Sequence, residues 1–306
     1  MRCKTLLAVG AALAWMLLAE PALGATAWVS SLNGSPHVSY EAAVGETNDV
    51  SIREEPEGVY TITDLNATIT AQAGCVPITS NTVRCELAPG DHRASVFTKD
   101  GADSVYLSSS HGAYLHGGSG GDTLTANNFG AYRYLTLNGG LGDDRLIGGP
   151  GRQEVFGAPG ADSLDGGLGN DVVNGGYGRD VIRGGAGNDV GDGGGDDDFV
   201  SGGSGDDRLT GDEGADVVRG GTGNDILGGF WGRDDVRGGR GRDRLSGGPG
   251  ADVLRAGPGR DRLSGGSGPD LLFARDRNRD TVRGNSGPDR AHVDPVDGLF
   301  SVEALF

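Results

Sequence analysis

From Gly139 to Phe273 one aliphatic side chain recurs every ninth residue, between positions of mixed character. The segment divides into 15 nine-residue words with no insertion or deletion. Position eight is Leu, Val or Ile in 14 words, with Gly191 the exception. Helices space apolar residues by three and four and half-buried strands by two, so a period of nine fits neither as a single element. The glycines at positions one, two and four allow positive φ and close backbone approach, which predicts a tight six-residue turn. The last three positions predict a brief strand whose centre points inward and whose neighbours point outward. Two words make one coil of 18 residues. Coils about 4.8 Å apart give a rod roughly 36 Å long.

Composition shows that such a rod needs a further stabiliser. The chain has 60 Gly among 306 residues, 43 Asp and Glu against 26 Lys and Arg, and a net charge of −17. One inward aliphatic residue per word contributes roughly 1.5–3 kcal/mol. Ordering each glycine-rich residue costs about 1–2 kcal/mol, so the apolar core alone does not suffice.

The acid column supplies the answer. Position six is Asp in 14 of the 15 words, with Gln153 the exception; positions one and four are Gly in 14, with Ala256 and Asp196 the exceptions. Words n and n+2 fall on the same flank of neighbouring coils, so their carboxylates lie one coil apart and repel. A divalent cation between them reverses that sign. Oxygen donors without His or Cys suit a hard cation, and a flexible cage completed by turn carbonyls suits calcium better than magnesium. Asp144, Asp162, Asp171, Asp180, Asp189, Asp198, Asp207, Asp216, Asp225, Asp234, Asp243, Asp252, Asp261 and Asp270 are the candidate ligands, with Asp122 in an outlying word. Losing Gln153 removes one pair and Asp196 puts two more in question. That leaves on the order of ten ions, held at roughly 10⁻⁴–10⁻³ M. A merely solvated acidic face would not confine Asp to one column in nine.

Words such as GGLGNDVVN (166–174), GGYGRDVIR (175–183) and GGAGNDVGD (184–192) resemble the GGxGxDxUx nonapeptide of the RTX, or hemolysin-type, calcium-binding repeats. The resemblance covers all 15 words and GGSGGDTLT from Gly117; after Phe273 the phase slips by one residue and continues loosely through Asp280 and Asp289. It implies an all-β fold, a right-handed parallel β-roll (a β-solenoid) with calcium between its turns. Position five often carries Asn or Asp in the family, so arginine there (Arg152, Arg179, Arg233, Arg242, Arg260) weakens the case for those words. Classical RTX toxins leave the cell through an uncleaved C-terminal signal, whereas this chain begins with an N-terminal one, so toxin-like lysis is not implied.

Arg2 and Lys4 precede an apolar run from Leu6 to Leu18, and Ala22-Leu23-Gly24 supplies small residues for cleavage. Residues 1–24 are therefore expected to be a secretory signal, and the protein extracellular. No other run approaches the ~20 apolar residues of a membrane helix, so no embedding is expected. Cys75 and Cys85 remain after cleavage, and in an oxidising compartment they predict one disulfide rather than a zinc site. Residues 25–116 alternate like half-exposed strands at 59–63 and 67–70 and are expected to form a β-rich cap. Residues 117–138 are an outlying repeat and connection, and 274–306 degenerate repeats and a second cap. Gly45–Val50 and Asp100–Val105 look like decayed turns of the same kind.

No catalytic constellation emerges, and no enzymatic activity is expected. HExxH is missing, and the literal G-x-S-x-G at Gly117–Gly121 sits inside a repeat word. His111 and His116 are five apart and are expected at the surface. The alternative is a secreted hydrolase with cryptic catalytic residues in 28–138 and calcium-stabilised repeats behind it. A strongly acidic chain disfavours nucleic acid as partner. Position seven of alternate words reads Val181, Phe199, Val217, Asp235, Val253 and Leu271, an outward stripe suited to contact with a protein or a second copy. Tyr177 and Trp231 are expected three coils apart on one flank.

Overall fold

The computed structural model describes residues 24–32, 35–55, 58–86, 93–109, 111–128 and 134–305. The expected secretory leader, apart from Gly24, lies outside them. The first fourteen strands are β1 (Thr26–Leu32), β2 (Ser35–Glu41), β3 (Asp49–Glu55), β4 (Val59–Asp64), β5 (Thr70–Ala71), β6 (Cys75–Thr79), β7 (Thr82–Glu86), β8 (Arg93–Phe97), β9 (Ser104–Ser109), β10 (Gly112–Ser119), β11 (Thr123–Asn128), β12 (Leu135–Leu141), β13 (Arg145–Ile147) and β14 (Gln153–Pro159). From β8 onward the strands alternate between two sheets, of 15 and 16 strands. Within each sheet the chain advances by parallel pairing: β2 with β8, then β10, β12 and β14, and β3 with β9, then β11 and β13. The result is an all-β solenoid of about 11 turns, with no α-helix among the described residues. It agrees with the expected β-roll architecture. The parallel stack starts well ahead of the in-phase words, because β8 to β11 already belong to it.

The division between strand and turn differs from the expected three-plus-six. Most strands of the in-phase words have six residues, such as Val172–Tyr177 and Val181–Ala186, and so extend through positions one to three of the next word. Only positions four to six bend. The cause is backbone satisfaction: glycine peptides that left the ladder would lose their partners, so they stay in it. Pairing skips position one and resumes at Gly167↔Gly185 and Leu168↔Ala186. The position-three carbonyl then accepts the position-four N–H of the preceding coil, as in Gly160 N–H to Tyr177 O at 2.8 Å.

Position eight forms the core. Leu146, Leu164, Ile182, Val200, Val218 and Leu254 are fully buried. At Gly191, where that column loses its side chain, Leu209 and Val200 close over the gap; an added Cβ would meet Leu209 Cδ2 at 2.9 Å. Position two is left-handed in fourteen of the fifteen words, including three without glycine there. Ala158 (φ 81°), Asp212 (φ 78°) and Phe230 (φ 74°) adopt the same turn as Gly185 (φ 113°), although this conformation costs an L-residue about 1–2 kcal/mol. Asp196 (φ 78°) likewise keeps the position-four turn.

At the N-terminal end the pairing changes sense. β1 runs antiparallel to β2, and β4, β7 and β6 follow β3 antiparallel, so both sheets end in reversed strands. The Cys75–Cys85 disulfide forms directly across β6 and β7, as expected, and excludes the zinc alternative. The stripe at position seven is in register through Val181, Phe199, Val217, Asp235, Val253 and Leu271, all half-buried. The Arg219 guanidinium lies 4.9 Å over the Phe199 ring. Tyr177 and Trp231, 74% and 62% exposed, stand three coils apart on one flank.

The position-two strain predicts that Ala158→Gly raises stability by about 1 kcal/mol, while Gly203→Ala lowers it by at least as much. A Cβ on Gly203 would collide with Gly185 O. Denaturant unfolding of both variants in saturating calcium checks the sign of each.

Candidate metal columns

The turn at positions four to six swings each position-six side chain back into the roll. All fifteen candidate aspartates are buried, none more than 3% exposed. They form two columns, one on each edge of the solenoid. In both, Oδ1 of one aspartate accepts the backbone N–H of its counterpart one coil earlier, at 2.7–3.0 Å. The longer column runs Asp122, Asp144, Asp162, Asp180, Asp198, Asp216, Asp234, Asp252, Asp270. The shorter runs Asp171, Asp189, Asp207, Asp225, Asp243, Asp261. The bonds are unbroken on either side of Asp196, so its substitution for glycine does not interrupt the column.

The same geometry extends to three aspartates outside the predicted set. Asp103 N–H donates to Asp122 Oδ1, Asp261 N–H to Asp280 Oδ1, and Asp270 N–H to Asp289 Oδ1. The signal for them was present in the decayed Asp100–Val105 turn and in the slipped phase after Phe273. Strict counting by nine discarded it.

Oδ2 is the functional end. In eighteen aspartates, the fifteen and these three, Oδ2 is buried with no hydrogen-bond partner. It lies against position one of its own word, where a Cβ on Gly157 would collide with Asp162 Oδ2, and one on Gly202 with Asp207 Oδ2. Position one is glycine because the carboxylate occupies the side-chain space. The words that depart from this pairing, with Gln153 at position six or Ala256 at position one, are entered by strands of only three residues, Arg145–Ile147 and Val253–Arg255.

Carbonyl oxygens are also available. The position-four carbonyls Gly142, Gly160 and Gly205 accept no backbone hydrogen bond among the described residues, and each faces the matching glycine of the next coil. Among the described residues no three acidic, His or Cys side chains converge on one point. A cation here would therefore draw on column carboxylates plus turn carbonyls, an all-oxygen set of the kind calcium accepts.

Outside the columns, position five forms a second ladder that the sequence reading missed. Asn170, Asn188, Asp206 and Asn224 accept the position-five N–H of the following coil at 2.7–3.1 Å. These bonds point the opposite way to those of position six, so each coil is clamped to both neighbours. Arginine at this position cannot accept, and Arg179 pairs with Asp197 instead. The histidines are not brought together: His111 Nδ1 meets Glu54 Oε1, and His116 Nδ1 meets Asn138 Oδ1. Ser119 closes β10, and no helix follows it among the described residues.

Burial, and then the like charges one coil away, hold the column carboxyls far above their ordinary range. Asp171, Asp198, Asp207, Asp252 and Asp261 are raised to about 7, and Asp144, Asp162, Asp180, Asp216 and Asp225 to about 6. In the unfolded chain these groups titrate near 4. A folded pKa above the unfolded one stabilises the protonated fold: the contribution is complete below about pH 4 and is lost as the pH rises through about 6 to 7. In chelator, strand content should therefore be greater at pH 5 than at pH 8. In millimolar calcium the order should reverse, because the metal needs ionised carboxylates. Circular dichroism at both pH values, with EGTA and with calcium, checks the crossing.

Comparison with protein families agrees with this geometry. The family described as the RTX calcium-binding nonapeptide repeat, in a form spanning four copies, matches residues 136–152, 156–191, 192–227, 228–263 and 237–272. The curated proteins contain no match to the chain. Stacked parallel coils, two columns of buried aspartates with unpaired oxygens, and the family match across 136–272 together place this region among the RTX calcium-binding nonapeptide repeats.

Proposed function

We propose that the protein is a secreted, non-enzymatic calcium-binding rod, whose coils order as calcium loads the two aspartate columns and whose role outside the cell is that of a spacer or adhesive element. The observation that carries this reading is the buried, unpaired Oδ2 of eighteen aspartates. A buried carboxylate without a compensating partner is strongly unfavourable, and so many in two lines call for a common counter-charge. Calcium, when bound, supplies that positive charge and takes carboxylate and carbonyl oxygens into its shell.

The chain's own residues divide the work. Oδ1 fixes the register of adjacent coils through its hydrogen bond to the position-six N–H, and Oδ2 is left for the metal. Glycine at position one leaves room for the carboxylate, and glycine at position four leaves its carbonyl exposed to the next coil. The number of ions follows column length and is on the order of ten. Because the ligand favours only the folded state, stability grows with its concentration. Secretion is supported by the leader-like first 24 residues and by the RTX repeats, and an extracellular protein of this kind would hold calcium at about 10⁻⁴–10⁻³ M.

Calcium titration of the mature protein should convert a weakly ordered chain into a strand-rich one, with magnesium at equal concentration far less effective. An unchanged circular dichroism spectrum in EGTA and in millimolar calcium would overturn the reading. Asp207→Asn, in the middle of the shorter column, should raise the calcium midpoint several-fold while leaving the calcium-saturated spectrum intact. Hydrolase screens on the loaded protein should stay at background, and a calcium-dependent turnover would remove the non-enzymatic part alone.

A further inference from the structure

The two columns have four ends, and three are closed by hydrogen bonds. At the N-terminal end of the longer column Asn48 takes the aspartate position. Its N–H and Nδ2 donate to Asp103 Oδ1, Nδ2 also donates to Glu46 O, and its Oδ1 accepts the Tyr40 hydroxyl at 3.2 Å. At the C-terminal ends Glu303 Oε2 accepts Asp289 N–H at 2.6 Å, while Asp297 accepts Asp280 N–H on Oδ1 and Asp294 N–H on Oδ2. The fourth end is Gln153. Its backbone N–H donates to Asp171 Oδ1 at 2.7 Å, so it stands in register as the next member of the shorter column. Its side chain is 0% exposed, yet neither Oε1 nor Nε2 has a partner.

Among the described residues, nothing further along that column can supply one. The positions before Gln153 are Leu135, Ala113, Ala94 and Val38, all buried and apolar. Gln153 is thus the boundary between an apolar column and an acidic one. Its Oε1 takes up the place Oδ2 holds elsewhere: a Cβ on Gly148 would lie 3.0 Å from Gln153 Oε1 and beside Gly166 O, as one on Gly157 would lie beside Asp162 Oδ2 and Gly175 O. An interior aspartate faces a coil on both sides, whereas a terminal residue serves only the side toward Asp171. A neutral amide oxygen is a hard donor sufficient for that single side. A carboxylate there would set an unbalanced charge against Leu135.

We propose that Gln153 and Asp171 hold one further calcium ion, a terminal site of the shorter column with a neutral oxygen in place of one carboxylate. The site lies at a break in the family match, between residues 152 and 156, and it rests on the reading that the columns bind calcium. Gln153→Met, close in volume and without the oxygen, should bind one calcium ion fewer than the wild-type chain by native mass spectrometry in saturating calcium. Gln153→Asp, whose charge the bound ion balances, should keep the wild-type count. An unchanged count in a folded Gln153→Met protein would overturn the proposal. The chain holds only two glutamines, Gln72 and Gln153, and Gln72 is exposed, so ¹⁵N-glutamine labelling gives a second measurement that needs no variant. During calcium titration the Gln153 side-chain amide should shift while that of Gln72 stays fixed; a stationary Gln153 signal in a chain whose strand content rises with calcium would reject the site alone. Absence of any calcium response in strand content would instead remove the underlying reading.

Discussion

The fold depends on carboxylates kept inside it. Each column aspartate is buried among glycine backbone, spends one oxygen on the neighbouring coil's N–H, and leaves the other unpaired. An arrangement of this kind is unfavourable by itself, since desolvation and like charge one coil away both oppose ionisation. It becomes favourable when positive charge lies along the column. The two columns therefore carry an internal requirement for positive charge along their length, while the aliphatic core contributes one side chain per word.

That requirement organises the rest of the sequence. Position one is glycine to make space for the carboxylate, and position two is left-handed even where Ala158, Asp212 or Phe230 occupies it. Position six clamps each coil to the preceding one, and Asn or Asp at position five clamps it to the following one. Opposed clamps resist sliding of one coil on the next, which plain parallel pairing of short strands with one buried side chain each would not do. The words with Gln153 and Ala256 show the coupling directly, because the strands that enter them shorten to three residues.

The two edges are not equivalent. One column extends from Asn48 to Glu303, while the other begins only at Gln153, where buried apolar residues take over the same positions in the N-terminal coils. Those coils on that edge need no counter-charge. The antiparallel strands and the Cys75–Cys85 disulfide lie next to this part, so the N-terminal end of the rod is held by packing and covalent linkage, and the remainder by its acid columns.

The period of nine, the inward aliphatic residue, the two-word coil and the aspartate columns were legible in the sequence, because each is a local demand that every word must satisfy alone. Asp103, Asp280 and Asp289 escaped strict counting because stacking tolerates an inserted or deleted residue in a turn, while a sequence phase does not. The six-residue strands and the outer position-five ladder were also hidden, since both arise from pairing between residues 18 apart, where backbone groups seek partners irrespective of side-chain pattern. The fate of the column ends lay furthest from view: Asn48, Asp297, Glu303 and Gln153 share no motif, and only the assembled stack brings each to the position where a column stops and its last polar atoms must find a partner.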